Sequence, residues 1–373
     1  MGNGASAGQM PDAAEYAALA ARTAAANPSF GNALRVALDS VAPAAPAAQL
    51  PPVTKEIQGQ LGTLAFRLQP SKDGRPLSLW HDVPLHERLP SGDLSGNLHF
   101  VCEIPKWTRK KFEIATDEAG NPIKQDEKKG ELREFKTGAA GLSFNYGCLP
   151  QTWEDPAHVH PDAKAGGDND PLDVCEIGTR QIPSGEVRSV KVLGVLCMID
   201  EGEADWKIIA IDVSDPWAPH LNGVADLEAR IPGMVHAIRE WFRDYKVADG
   251  KPQNKFGLEE QCMDRPYALG IVKECHESWL RLLSGEASRQ TTQAAKLNTS
   301  HRPSMISLSP EQQARLLQAA AAAVPGLERG LSRQSASTDC HISEESSSSS
   351  DGGGGDEAVV SDQQVPGDAP HEA

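Results

Sequence analysis

The pattern of apolar and polar positions predicts mostly β structure in the middle of the chain. Apolar runs of strand length predict β-strands at residues 98–104, 111–115, 172–177, 190–199 and 206–213. Two later segments, 232–247 and 266–283, repeat apolar residues every three or four positions, which predicts helices. Several short strands with few helices favour an α+β fold that is mainly β.

The first predicted helix combines a core face with polar groups at its end. Met234, Ile238, Trp241 and Tyr245 fall on one stripe, and core packing is the simplest explanation of such a stripe. Tyr245 and Lys246 stand near the C-terminal end, where side chains can leave the core and reach a site. These two residues are therefore candidates for binding as well as for packing.

Composition separates the two ends of the chain from its middle. Residues 1–52 are rich in Ala, Pro and Gly, and the last part is biased toward Ser, Gln, Ala and acidic residues. We therefore expect a mostly disordered extension at 1–52, a folded domain at 53–285 and a mostly disordered acidic extension at 286–373. Short local helices are predicted within the extensions at 13–26 and 311–324.

Charge and cysteine content argue against several classes of protein. The formal net charge of -16 argues against general nucleic-acid binding. The seven cysteines form no Cys-x-x-Cys pair, so zinc and a disulfide framework are both poorly supported. No stretch approaches the roughly 20 apolar residues that span a bilayer. Gly2 and Ser6 match the myristoylation pattern, and a single such chain anchors only weakly.

A run of carboxylates precedes one of the predicted strands. Asp168, Asp170 and Asp173 stand close together after a Gly-Gly pair, and Pro171 interrupts them. Such charges repel one another unless cations neutralise them, and hard oxygen ligands favour Mg²⁺, Mn²⁺ or Ca²⁺ over zinc. A solvated acidic turn is the ordinary alternative. A calcium loop of the EF-hand type fails, because its Gly and Glu positions hold Asp173 and Thr179.

A second acidic cluster lies between the strands predicted at 190–199 and 206–211. Asp200 and Asp205 are expected on the tight connection of a hairpin, together with Glu201 and Glu203. Taken alone they would be plain turn residues. Two carboxylate clusters at separate strand ends could instead meet around several metal ions. Nearby Lys and Arg side chains, as in the segments 103–113 and 129–133, suggest a polyanionic phosphate substrate.

At this point the chain resembles the family I soluble inorganic pyrophosphatases of the eukaryotic type. The core match is the stretch 167–174, Gly-Asp-Asn-Asp-Pro-Leu-Asp-Val. The resemblance runs in the family's order over roughly residues 55–285. Supporting matches are found at 80–85, 103–107, 121–123, 145–147 continuing to 150–156, 200–203 with 205–207, and 240–246.

The resemblance implies a set of metal ligands. Asp168, Asp173 and Asp205 match the ligands of one activating metal, and Asp173 also matches the bridge to a second metal. Asp200 and Asp205 match ligands of a metal that arrives with the substrate. Glu113 matches the ligand of another. The implied cofactor is several Mg²⁺ ions, with Mn²⁺ expected to substitute and Ca²⁺ expected to inhibit.

The resemblance also implies roles in catalysis and substrate binding. Asp170 matches the catalytic group that orients and deprotonates the attacking water. Glu103 matches an acidic residue of the inner site, and Glu201 matches a supporting carboxylate. The groups that match the binding of the two phosphoryl groups are Lys111, Arg133, Tyr146, Lys207, Tyr245 and Lys246.

The implied activity is hydrolysis of inorganic pyrophosphate to two phosphates, by in-line attack of a metal-bound hydroxide. The implied fold is a small closed β-barrel of the OB type with flanking helices and the site at one mouth. One departure from the family's pattern is Leu142, which stands where the family usually carries a tyrosine. Loss of that hydrogen bond is expected to cost about 0.5–1.5 kcal/mol.

Two other functions stay open at this point. One is a degenerate family member that binds without hydrolysing, which the intact carboxylates argue against. The other is a two-metal phosphoesterase for nucleotides or polyphosphate. The resemblance further implies a homodimer. The acidic balance predicts no nucleic-acid partner. Reduced thiols indicate a reducing compartment, and the expected location is cytoplasmic, with the plastid as the alternative.

Overall fold

A computed structural model gives the fold and describes residues 54–72, 74–89, 91–136, 141–287 and 297–299. Several expectations lie outside the described residues and stay predictions. They are the extension at 1–52 with its helix and Gly2, the helix at 311–324, and most of the C-terminal extension.

The described residues form fifteen β-strands. In chain order they are Thr54–Gln58 (β1), Arg67–Lys72 (β2), Arg75–Pro76 (β3), His86–Arg88 (β4), Leu94–Ile104 (β5), Phe112–Ile114 (β6), Ile123–Gln125 (β7), Glu127–Lys128 (β8), Glu131–Leu132 (β9), Asn145–Cys148 (β10), Asp173–Glu176 (β11), Val187–Asp200 (β12), Glu203–Asp212 (β13), Lys255–Phe256 (β14) and Met263–Asp264 (β15).

Helices are fewer among the described residues. The α-helices are Val224–Arg230 (α1), Met234–Asp244 (α2) and Arg265–Leu283 (α3), with short 3₁₀ turns at Ala218–His220, Val247–Asp249 and Leu258–Glu260. Helix α3 begins where the Asp264 side chain accepts a hydrogen bond from the Tyr267 amide, with Pro266 in the first turn. None of the described helices is long and apolar enough to cross a membrane.

The larger sheet has the strand order β14-β12-β13-β11-β10-β5-β4. Strands β12 and β13 form a long antiparallel hairpin, and β11 pairs in parallel with β13. The first part of β12 also pairs with β5, which curls the sheet. The sheet path still has two ends, β14 and β4, so the expected closed barrel is not what the structure has. The pairing of β12 with β5 covers only four residue pairs, and the later part of β12 pairs with β14 and β15 instead.

The predicted strands and helices of the folded part are confirmed, with one correction. Asp205 is not on the hairpin connection but inside β13, opposite Met198. Asp200 and Glu203 are likewise strand residues, and they pair with each other next to the turn. The turn needs only Glu201 and Gly202, whose φ angles of 51° and 100° belong to a tight two-residue connection. Asp205 is therefore held by strand pairing and is buried.

Packing of α2 against the sheet explains its apolar stripe. Met234 and Ile238 are buried, while Trp241 and Tyr245 are partly buried against the same core cluster. Phe242 adds an aromatic contact, with its ring centroid 5.7 Å from that of Tyr146 on β10. Burying a side chain of this size contributes about 1.5–3 kcal/mol. This packing sets the C-terminal end of α2 beside the ends of the central strands.

Candidate active site

The predicted site residues converge on one cavity of about 310 Å³. Strands β6, β10, β11, β12 and β13 contribute to its walls, together with the end of α2. All the predicted site residues except Glu201 line it: Glu103, Lys111, Glu113, Arg133, Tyr146, Asp168, Asp170, Asp173, Asp200, Asp205, Lys207, Tyr245 and Lys246.

Main-chain bonds to a neighbouring segment hold the acidic loop before β11. The Glu154 amide donates to the Asp170 carbonyl (2.9 Å), and the Asn169 amide donates to the Glu154 carbonyl (3.0 Å). A Cβ atom at Gly167 would lie 2.3 Å from the Glu154 carbonyl carbon, so this close approach requires glycine. The Asp170 amide also donates to the Asp168 side chain (3.0 Å). The loop is thereby fixed with its carboxylates in the cavity.

Three carboxylates form a cluster suited to a cation. One oxygen each from Glu154, Asp168 and Asp205 lies within 4.8 Å of the others. Burial, and then Asp205, raises the pKa of Asp168 well above its usual range. Burial raises the pKa of Asp205 to about 7, although Lys207 acts against this shift. A set made only of carboxylate oxygens fits a hard divalent cation.

Asp170 and Glu103 are acidic residues of the same cavity with raised pKa values. The Asp170 side chain faces the open cavity, yet the surrounding protein, and then Glu113, raise its pKa to about 7. Glu103 is buried and accepts a hydrogen bond from the Ile114 amide (2.7 Å). Burial, and then Asp173, raise the pKa of Glu103 well above its usual range.

Lys207 is a buried cation that lies between the carboxylates of Asp173 and Asp205. Its Nζ atom donates to Asp173 and Asp205, and to the Tyr146 hydroxyl at 2.9 Å. The Tyr146 hydroxyl in turn donates to Asp173. Burial acts to lower the pKa of Lys207, but Asp173 and Asp205 raise it well above its usual range. Lys207 therefore stays charged and neutralises part of the cluster.

Two further cations of the cavity share one carboxylate that was not among the predicted site residues. Asp126 accepts hydrogen bonds from Lys111 Nζ (2.6 Å) and from Arg133. Lys111 also contacts Glu113 at 3.1 Å. Burial acts to raise the pKa of Asp126, but Lys111 and Arg133 lower it. Asp126 thus holds two predicted phosphate-binding side chains in place, and the signal for it is its position just before the β8–β9 hairpin that leads to Arg133.

The end of α2 brings a further cation to the opposite wall. Lys246 Nζ lies 2.5 Å from both carboxylate oxygens of Asp200, and the Tyr245 hydroxyl donates to Asp200 at 3.3 Å. Burial, and then Asp200, raise the pKa of Tyr245, so it stays a neutral phenol. Glu201 follows in the turn, is exposed and pairs with Lys251 at 2.5 Å, outside the cavity.

Leu142 lies in the core and not in the cavity. It is fully buried in the cluster that contains Ile104, Phe135 and Phe144. Its amide donates to the Thr108 carbonyl at 3.3 Å. The position where the family usually has a tyrosine is therefore filled here by apolar packing.

Comparisons with known proteins agree with this geometry. A family model described as inorganic pyrophosphatase matches residues 100–280. The chain is 48% identical over 240 residues to the inorganic pyrophosphatase of Schizosaccharomyces pombe, covering 64% of this chain and 81% of that one.

Solved structures give the same result. The inorganic pyrophosphatase from Schistosoma japonicum has a TM-score of 0.59 and 44% identity, covering 61% of this chain and 80% of that one. A Trypanosoma cruzi vacuolar soluble pyrophosphatase, truncated at its N-terminal domain and solved with PPi, has a TM-score of 0.58 and 41% identity. That likeness covers 65% of this chain and 95% of the other.

Proposed function

The chain belongs to the inorganic pyrophosphatase family, and from this premise we propose that it hydrolyses inorganic pyrophosphate to two phosphates in the cavity. The observation that supports this site most strongly is the combination of clustered carboxylates and several Lys and Arg side chains on one set of walls. A small polyanion without an apolar part needs both kinds of group, because metals and cations supply all of its binding.

The carboxylates fit divalent cations. Asp168, Asp173 and Asp205 would hold one, with Asp173 shared by a second, while Asp200 and Glu113 would hold those that come with substrate. The oxygen donors suit Mg²⁺, and Mn²⁺ as a substitute. Inhibition by Ca²⁺ is proposed from the family resemblance alone. When bound, such ions lower the pKa of water and take up charge on the phosphoryl oxygens.

Asp170 is the proposed proton acceptor. Its pKa of about 7 suits a base that works near neutral pH. The water oxygen forms a bond to one phosphorus in line with the bond that breaks, and the bridging oxygen leaves with the second phosphate. Asp170 takes the proton of the attacking water. The Glu154 amide fixes the Asp170 carbonyl at 2.9 Å, which restricts the loop that carries this base.

The basic side chains bind the two phosphoryl groups. Lys111 and Arg133 approach from the wall that carries Asp126, and Lys246 approaches from the end of α2. Arg133 can contact two phosphate oxygens at once through its planar guanidinium. Lys207 and Tyr146 lie deeper, beside Asp173. Glu103 and Glu201 are proposed only as supporting carboxylates.

A substrate comparison tests the proposal against the nucleotide and polyphosphate alternatives. Phosphate release would be measured with Mg²⁺ from pyrophosphate, ATP and tripolyphosphate at equal concentrations. We expect rapid release from pyrophosphate alone. Comparable release from ATP would favour the broader phosphoesterase, and absence of release by well-folded, Mg²⁺-saturated protein would favour a binding subunit.

Other features stay proposals. They are the division into a catalytic domain at 53–285 with two extensions, the OB-like barrel that the β12–β5 pairing supports, a homodimer, weak myristoyl anchoring through Gly2, and a cytoplasmic rather than plastid location.

A further inference from the structure

We propose that Glu154 is a further member of the cation site formed with Asp168 and Asp205, so that its carboxylate strengthens cation binding there. This inference rests on the proposed function, because it concerns a cation that the pyrophosphatase reaction uses. The motif around residues 150–156 contains Glu154, but nothing in its sequence pattern gives the side chain a role.

The position of the carboxylate is the first observation. One Glu154 oxygen lies within 4.8 Å of one oxygen each from Asp168 and Asp205. That separation matches oxygens that share a cation at about 2.0–2.6 Å or through its coordinated waters. Asp173, the other predicted ligand, accepts hydrogen bonds from Tyr146 and Lys207, and Lys207 donates to Asp205 as well.

An unsatisfied atom is the second, independent observation. The Glu154 residue is only 3% exposed. Its Oε1 atom accepts a hydrogen bond from the Trp206 amide at 2.9 Å. Its Oε2 atom is buried and has no hydrogen-bond partner among the described residues. A buried carboxylate oxygen without a partner is unfavourable, and a cation or its water would satisfy it.

Main-chain hydrogen bonds of Glu154 explain why its side chain lies close to Asp168 and Asp205. Its amide and carbonyl bond to Asp170 and Asn169, so the 152–156 segment and the acidic loop are held together. These bonds do not involve the Glu154 side chain, so a substitution such as Glu154→Gln leaves their donor and acceptor in place. A variant of the carboxylate therefore tests the cation site without releasing the loop.

Glu154→Gln is the appropriate variant, because it keeps the side-chain volume and the acceptor for the Trp206 amide while removing the charge. Binding of Mn²⁺ alone, without substrate, would be followed by calorimetry and by electron paramagnetic resonance. We expect the Kd of the tightest-bound Mn²⁺ to rise about 10–100-fold, as for other residues that support metal ligands. Asp168→Asn serves as the positive reference.

Glu274→Gln is the matched control. Glu274 and Glu154 line the same small crevice, but Glu274 is half-exposed and faces His158 and His160 at 3.6 and 3.7 Å. The same loss of charge there should change the Mn²⁺ Kd less than twofold. Thermal unfolding in EDTA shows whether the variant has a folding defect. Glu154→Gln should melt close to wild type, because the amide keeps the side-chain volume and the acceptor for the Trp206 amide.

The results distinguish a failure of the role proposed for Glu154 from a failure of the proposed pyrophosphatase activity. If wild type hydrolyses pyrophosphate and binds Mn²⁺, but a folded Glu154→Gln variant binds it within twofold of wild type, this inference is wrong and the proposed function stands. If wild type neither binds Mn²⁺ nor releases phosphate, the proposed function itself fails. A fall in Mn²⁺ affinity confined to Glu154→Gln and Asp168→Asn supports the inference.

Discussion

The Nζ atom of Lys246 lies 2.5 Å from each carboxylate oxygen of Asp200. Lys246 is proposed to bind phosphate and Asp200 a cation, and in their ion pair the two charges neutralise each other. A cation at Asp200 would compete with Lys246 for the same oxygens. Cation binding would thereby turn the Lys246 ammonium toward the substrate, which couples the two events.

Replacing Lys246 with Met tests this coupling. A hydrogen bond to a charged group contributes about 1.5–3 kcal/mol, so kcat/KM for pyrophosphate should fall about 10–100-fold. Binding of Mn²⁺ should not weaken, because Asp200 loses its competitor. Steady-state kinetics and Mn²⁺ titration measure the two effects.

Lys251→Met is the control for that variant, since Lys251 pairs with Glu201 on the exposed turn. It should change kcat/KM less than twofold. Weaker Mn²⁺ binding in Lys246→Met would contradict the competition between Lys246 and the cation.

Asp126→Asn removes the charge that Lys111 and Arg133 share. The free energy of unfolding should fall by about 1–3 kcal/mol, because a buried carboxylate with two charged partners is lost. The KM for pyrophosphate should rise as the two side chains lose their orientation. Urea denaturation and kinetics measure these changes. Asp249→Asn is the control, because it breaks a more exposed ion pair with Lys136 and should lower the free energy of unfolding by less than about 1 kcal/mol. Equal losses of stability in the two variants would show that Asp126 does not bridge Lys111 and Arg133 as described.

Cation-free protein should become less stable as pH rises. Asp170 and Asp205 have folded pKa values of about 7, far above the unfolded value of about 3.9. Their protonated forms therefore stabilise the fold at lower pH, and that contribution is lost as pH rises through 7. Between about pH 6.5 and 8.5, the Tm in EDTA should fall by about 2–4 °C.

The pH range begins at about 6.5 because buried histidines titrate below it and have the opposite effect on stability. Burial lowers the pKa of His86, for example, to about 4. Asp205→Asn should flatten the slope, and saturating Mg²⁺ should remove it by favouring the charged carboxylates. A Tm in EDTA that rises over the same interval would show that these carboxyls do not take up protons as proposed.

Local pattern was enough to predict most of the elements that build the site. The β12–β13 hairpin was predictable because two apolar runs flank Glu201 and Gly202, and the two helices because their apolar residues share one face. The resemblance then supplied the site residues, and all but Glu201 line one cavity. Asp205 was misplaced because its strand begins with Glu203, before the apolar run at Trp206.

Tertiary relationships could not be predicted in the same way. Asp126 bridges Lys111 and Arg133 only because β6, β7 and the β8–β9 hairpin fold beside one another. Glu154 meets Asp168 and Asp205 through the turn that packs on the acidic loop. No periodicity or short spacing encodes such encounters. The curling of the sheet likewise depends on which neighbours β12 meets along its length.

Leu142→Tyr, which introduces the tyrosine that the family usually carries, should destabilise the fold. Leu142 is fully buried among Ile104, Phe135 and Phe144, so a larger ring should lower the free energy of unfolding by about 1–3 kcal/mol. Leu142→Met, which conserves volume, should cost less than about 1.5 kcal/mol. Urea denaturation measures both, and a more stable tyrosine variant would show that the core has room for the phenol.

The most informative measurement is phosphate release from pyrophosphate with Mg²⁺ at neutral pH, compared between wild type and Asp170→Asn. Asp226→Asn serves as a surface control, and a parallel sample contains Ca²⁺ in place of Mg²⁺. We expect strong release by wild type and Asp226→Asn and suppression by Ca²⁺. Release by Asp170→Asn should fall about 10²–10⁴-fold, with Mn²⁺ binding retained. Release by Asp170→Asn within a few-fold of wild type would contradict the catalytic role proposed for Asp170.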